Sequence, residues 1–439
     1  MPIVFIHGVN VRSTSDFEGI TRHLRASVAP LLVTGPGRSA ADISVTSCYW
    51  GDLGASFAWN LQSLPANTSF GIASMGLSGA TLADKMLPLA GSLSSVGLGE
   101  ILTRQPSANV ALDAGIISMG PWQSPTTFFN ADPDRVAALL ITMMVTQDPT
   151  IDLGDGRLQS FPASVANASL YIDAAAHEVI PNVMPDESAD VTLARIAKRA
   201  KEFEALASSH SAAVLYQGVG PIAQLIDQAT AAVQGLIDEA NDTTGDALAH
   251  TLIGIRLPVS ELLSRFLGDI FIYLNSRDAS PAAPSSILLR VMDAIRDAYD
   301  VANGEPLIIL SHSMGGQIMY DLVTWYFQKT AGYDHIKIDF WGAAACQVGI
   351  FEEMKLFKSS DPALKAPNHV PAPLSSVLKR WVGYWDPSDV LSFLTSPIIS
   401  GCVDQVFTSG TTPLQAHGQY LIQPRFYRML ARDVAESLS

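Results

Sequence analysis

The sequence predicts an α/β protein: a mainly parallel sheet of six strands, with a large and mostly helical insertion ahead of the strand that carries the chemistry. Three observations lead there. Short apolar runs that end in small or polar residues alternate with segments of helical period. The stretch Leu307-Ile308-Ile309-Leu310 reads as a strand buried on both faces, and it passes without a linker through Ser311-His312-Ser313-Met314-Gly315-Gly316 into Gln317 to Val323, which has helical spacing. Finally, from about Leu53 to Pro284 the strand–helix rhythm stops.

Taken in order, Ile3 to Ile6 is a short apolar strand that delivers His7-Gly8-Val9-Asn10 at its end. Phe17 to Leu32 has helical spacing, and Ile43 to Trp50 alternates as a second strand, which completes a β-α-β unit. Within the insertion, Ala66 to Gly120 is rich in Gly, Ser, Ala and Leu and poor in charge. Ser188 to Leu206 and the stripe Ile222, Leu225, Ile226, Ala229, Val233, Leu236, Ile237, Ala240 read as amphipathic helices, and Leu262 to Leu274 as an apolar helix returning the chain to the sheet. Ala279 to Pro284 is the connector and Ser285 to Ala302 the helix that leads into the Leu307 strand.

After the central turn, Ile336 to Gly342 is the next strand, Ile350 to Phe357 a short helix, and Asp361 to Pro373 a Pro-rich surface loop. Trp381 to Trp385 is a strand ending in Asp386-Pro387-Ser388-Asp389. Val403 to Thr408 is the last strand; His417 follows in a loop, ahead of the terminal helix Pro424 to Leu438.

Composition narrows the function classes. Only 16% of the 439 residues are charged and 48% are hydrophobic, so most of the chain has a core to occupy. The net charge of −15, with no basic run, argues against nucleic acid as a partner and against electrostatic adhesion to anionic membranes. Cys48, Cys346 and Cys402 are odd in number and lack paired spacing, so they read as small buried hydrophobes in a reducing compartment. No signal-peptide pattern precedes Pro2, and the longest apolar run, Val136 to Val145, is far too short to span a bilayer; a cytoplasmic location is expected, with peripheral membrane contact left open. Neither a Walker loop nor a G-x-G-x-x-G follows a strand, Gly218-Val219-Gly220-Pro221 is only a turn, and His177-Glu178 lacks a second histidine; no cofactor and no metal is expected.

A turn as tight as the one at Ser313 strains its central residue and demands small neighbours, which Ser311, Gly315 and Gly316 supply. A serine hydroxyl is a poor nucleophile near neutral pH, so it needs a base within reach and a carboxylate to fix that base's tautomer. The motif Ser-His-Ser-Met-Gly-Gly resembles the nucleophile elbow of α/β-hydrolases, usually written G-x-S-x-G, with Ser311 in place of the first glycine. The His7-Gly8 pair at the end of an early strand resembles the start of that family's oxyanion-hole loop.

The resemblance is to lipase-like members and covers residues 1–52 and 285–439, with 53–284 as the insertion, either a cap over the site or a helical domain beside it. It implies a sheet with the Trp50 strand at one edge, then the Pro2 strand, then the nucleophile strand. It implies a serine ester hydrolase with the chain order Ser313, Asp389, His417, in which Asp386 is the alternative acid. The backbone amides of Val9 and Met314 would form the oxyanion hole, with His7 and Gly8 shaping the loop. The substrate would be a small-molecule or lipid ester, and the apolar insertion favours an apolar acyl group. A second reading is a catalytically silent hydrolase scaffold whose helical insertion binds a protein partner.

Overall fold

The computed structural model describes residues 2–9, 11, 17–33, 39–58, 132–147, 161–184, 187–210, 226–227, 231, 264–277, 283–372, 377–409 and 413–439. The chain begins with β1 (Pro2–Ile6), α1 (Glu18–Ser27) and β2 (Ser44–Cys48). The segment between β2 and β3 contributes α2 (Pro133–Gln147), α3 (Ala163–Val179), α4 (Ala189–His210) and α5 (264–276). Next come α6 (Ser286–Ala302), β3 (Ile308–His312) and α7 (Met314–Asp321), the last prolonged by one π turn over Leu322–Tyr326. The remainder is β4 (Ile338–Ala344), α8 (Val348–Glu353), β5 (Val370–Pro371), β6 (Leu378–Trp385), β7 (Ile399–Ser400), β8 (Cys402–Val406), α9 (Pro413–Gln419) and α10 (Pro424–Leu438).

Six strands form one sheet in the order β2-β1-β3-β4-β6-β8, every pair parallel. All residues of β1 and β3 are buried, as their unbroken apolar runs require for strands covered on both faces. The period of two along each strand divides the interior into two cores. Ile3, Phe5, Ile308, Leu310, Phe340 and Val382 point into one, which α1, α10, α2, α3 and α4 close. Val4, Ile6, Ile309, Trp341 and Trp381 point into the other, under α5, α6 and α7. The expected α/β arrangement on a parallel six-stranded sheet is therefore present.

Helix α3 lies against α1 and α10, and α2 and α4 pack on α3, so these three helices add a layer outside one face of the sheet. The pairing has charged clasps: Arg428 of α10 binds Asp173 of α3, and also Asp134 of α2 at 2.5 Å. Farther along α2, the Ala138 carbonyl accepts from Gln423 Nε2 at 3.4 Å. These two contacts make α2 antiparallel to α10. Residues 139–147 therefore run on past the start of α10, at the carboxyl edge of the sheet, for about 13 Å at 1.5 Å per residue. On the opposite face α5 ends at Arg277, which donates to the buried Asp321 at the end of α7 at 2.6 Å, while Tyr273 donates to the same carboxylate at 2.6 Å. The return segment is thus anchored to the helix that follows Ser313.

Two expectations need correction. His417 lies not in a loop but within α9, where Pro413 supplies a preformed first helical turn. The Pro-rich segment 361–373 is not all loop, because Val370–Pro371 pairs with Ile399–Ser400 as a parallel two-stranded ribbon. The segment Ala66–Gly120 and most of the stripe Ile222–Ala240 lie outside the described residues. Among the described residues no helix is long and apolar enough to cross a membrane. Cys48, Cys346 and Cys402 are buried free thiols.

Candidate active site

Ser313 stands at the joint of β3 and α7 with φ 52° and ψ −128°. A side chain in this backbone region costs on the order of 1–3 kcal/mol, so its surroundings must hold it there. Its N–H donates to Ala344 O and its carbonyl accepts from Gly316 N–H, both at 2.9 Å. The glycines are needed for space: a Cβ on Gly315 would stand 2.5 Å from Ile6 O, and one on Gly316 would stand 2.3 Å from Cys346 Sγ. Ser311 fits where the hydrolase pattern has glycine because its hydroxyl accepts from the Trp341 indole N–H at 2.8 Å.

Around this turn the chain brings together three residues from distant positions. His417 Nε2 is 2.9 Å from Ser313 Oγ, and His417 Nδ1 is 2.9 Å from Asp389 Oδ2. A carboxylate accepts only, so Nδ1 carries the proton and Nε2 presents its lone pair to the serine hydroxyl. All three side chains are buried. The second Asp389 oxygen accepts from Leu391 N–H at 2.9 Å, which fixes the carboxylate plane.

Asp386 faces elsewhere. Its carboxylate accepts from the N–H groups of Ser388 and Ser409, each at 2.8 Å, and its carbonyl accepts from Asp389 N–H at 2.9 Å. Burial raises its pKa, against the pull of those amide donors. Geometrically Asp386 braces the turn on which Asp389 sits. His335 and His369, the other histidines between Ser313 and His417, lie at the surface.

The end of β1 approaches the same turn, since Gly315 packs on the Ile6 and His7 carbonyls. His7 is wholly buried and stacked on Trp50, with ring centroids 4.9 Å apart. Trp50 N–H donates to His7 Nε2 at 2.9 Å, so Nδ1 carries the hydrogen and donates to Gly8 O at 2.5 Å. In a trans peptide the carbonyl and the following N–H point in opposite directions. By holding the Gly8 carbonyl, His7 fixes the direction of the Val9 amide. Met314 opens α7, so its N–H is among the donors without an acceptor inside the helix, at the positive end of the helix dipole. Trp50, whose indole N–H also donates to His7 O at 2.9 Å, is a supporting residue that no sequence motif marks.

Among the described residues one group, Asp134, Asp173 and His177, brings metal-type ligand atoms together, and it includes none of the residues above. The guanidinium of Arg428 already occupies that space between the two carboxylates, with Arg425 3.7 Å from Asp134. Burial pulls Asp134 upward, yet a hydrogen bond from His177 and the charges of Arg425 and Arg428 together hold its pKa at about 2. The arrangement is a clasp that ties α2 and α3 to α10. No family model, curated protein or solved structure matches this chain.

Proposed function

We propose that this chain is a serine ester hydrolase with the α/β-hydrolase fold, residues 1–52 and 285–439 forming its core and 53–284 an insertion that borders the site. The observation that carries the reading is the continuous hydrogen-bonded chain Ser313–His417–Asp389 ending on a strained strand-to-helix turn. Strain of this kind is retained where a side chain must be presented rather than packed.

In this mechanism Ser313 Oγ attacks the ester carbonyl carbon while its proton passes to His417 Nε2. Asp389 keeps Nδ1–H in place and stabilises the imidazolium. The amides of Val9 and Met314 receive the developing oxyanion. His417 then protonates the departing alkoxide, leaving an acyl group on Ser313, and water attacks that ester with His417 again as base. An apolar acyl group is favoured because α2, buried from Val136 to Val145, passes the start of α10 at the carboxyl end of the sheet.

A fluorophosphonate probe tests the reading. It should label the wild-type chain stoichiometrically at Ser313 and leave Ser313→Ala unlabelled, and p-nitrophenyl esters should be hydrolysed by the first and not by the second. An unlabelled, folded wild type would instead favour a silent scaffold that works through its insertion.

A further inference from the structure

Gln347, the residue just before α8, belongs to no motif, yet it is buried at a junction of three segments. Its Nε2 donates to the carbonyls of Ala345 at 2.7 Å and Leu391 at 2.5 Å. Both acceptors are carbonyl oxygens, so the orientation of the amide is fixed by chemistry. Its Oε1 accepts from Gln317 Nε2 at 2.5 Å, and its backbone N–H donates to Gln317 Oε1 at 3.3 Å. Gln317 is itself wholly buried on α7, one helical turn after Ser313.

Leu391 is what gives this junction a chemical consequence. Its carbonyl is held by Gln347, while its N–H donates to Asp389 Oδ1 at 2.9 Å. The contacts therefore close a ring: Ser313 to Gln317 through α7, then Gln347, Leu391, Asp389, His417 and back to Ser313. We infer that Gln347 is a positioning residue, which sets the distance between the acid turn and the nucleophile helix so that Asp389 meets His417 while His417 meets Ser313. This inference rests on the hydrolase reading above.

A buried pair of amides is costly unless every donor and acceptor is used. Shape-matched apolar side chains could fill the same space, but they would leave the Ala345 and Leu391 carbonyls without their donor. What they would not supply is a fixed length between α7 and the Leu391 carbonyl. The neighbouring backbone tie, Phe393 N–H to Cys346 O at 3.2 Å, remains in any side-chain variant and keeps the turn attached but not aimed.

The experiment compares wild type, Gln347→Glu and Gln317→Met. Glutamate keeps the size of Gln347 but turns an acceptor toward two carbonyls; methionine removes the other end of the link without changing α7's shape. Each protein is titrated with a fluorophosphonate so that rates refer to reactive sites only. Turnover of a p-nitrophenyl ester per titrated site should fall about 100-fold, as for an ångström-scale misplacement, with KM unchanged, and the low-field proton NMR signal of His417 Nδ1–H against Asp389 should be lost or displaced. A purely structural role would lower the titratable fraction and leave turnover per site and that signal as in wild type, and this result would overturn the inference. If Gln347→Glu fails to fold, Gln317→Met decides by the same two readouts. A wild type that does not react with the probe overturns the hydrolase reading and the inference together, whereas a reactive wild type with unaffected variants removes the inference alone.

Discussion

The imidazole of His312 donates through Nε2 to the backbone carbonyl of His417, at 2.7 Å. A residue adjacent to Ser313 thus holds the main chain of His417. His312 is fully buried, and burial, with the nearby His417 ring adding to it, lowers its pKa well below the ordinary histidine range. The acceptor is a carbonyl oxygen, so the ring hydrogen sits on Nε2 and is committed to that carbonyl.

Replacing His312 by phenylalanine keeps a ring and leaves the His417 carbonyl buried without its donor. A stability loss of about 1–3 kcal/mol is expected, read as a lowered urea midpoint at constant slope. Turnover should fall with KM unchanged, because His417 is displaced while substrate contacts remain. Unaltered turnover in a destabilised variant would restrict His312 to packing.

The two aspartates should separate by four orders of magnitude or so. Asp389→Asn leaves His417 in the wrong tautomer, and such a change costs about 10⁴ in kcat. Asp386→Asn keeps one acceptor for Ser388 or Ser409, so it should loosen the turn, cost about 1–2 kcal/mol of stability and lower kcat far less. The opposite ranking would transfer the acid to Asp386 and would contradict the His417 contact to Asp389.

His23 gives a pH dependence of folding. It is buried between α1, α3 and α10, stacked 4.7 Å from the Tyr427 ring and 3.2 Å from Ser169 Oγ. Burial, aided by the charge of Arg22, lowers its pKa from 6.5 to about 3. Between those values the unfolded chain binds a proton that the folded chain does not, so this contribution lowers stability as pH falls. The loss is about 2 kcal/mol between pH 7 and pH 5. His23→Phe, which keeps the stacking, should flatten the urea stability profile by that amount over this interval. Equal profiles for both proteins would mean that His23 takes up its proton without unfolding cost.

Which parts were legible in the sequence follows from how local their causes are. The β3 turn was readable because the apolar run, the small residues and the helical spacing all lie within seventeen positions, 307 to 323. Helix α10 begins and ends where Pro424 and the apolar spacing place it. Asp389 is preferred to Asp386 in the sequence only by the resemblance of its loop, since both follow β6 and the physical distinction lies in which carboxylate meets the His417 ring. The β5–β7 ribbon is two residues per strand, too short for any periodicity. Gln347 and Trp50 act through contacts to residues 44 and 43 positions away, and no local pattern marks such roles.

The acyl preference is the most demanding expectation, because it depends on the insertion. Helix α2 is apolar and buried over Leu139, Leu140, Ile141, Met143, Met144 and Val145, the residues that follow Ala138, whose carbonyl meets Gln423 at the start of α10. A helix of that composition is either a wall for an apolar ligand or a core packed on the chain itself. Each methylene moved from water into an apolar site contributes about 0.8 kcal/mol, roughly a factor of four. If α2 lines the acyl site, kcat/KM should climb steeply from acetyl to octanoyl p-nitrophenyl esters, and Met144→Ala should weaken the rise for the longest chains while leaving acetyl turnover near wild type. A flat or falling series would assign α2 wholly to internal packing. The substrate would then be a short-chain ester, recognised at Ser313 without help from the insertion.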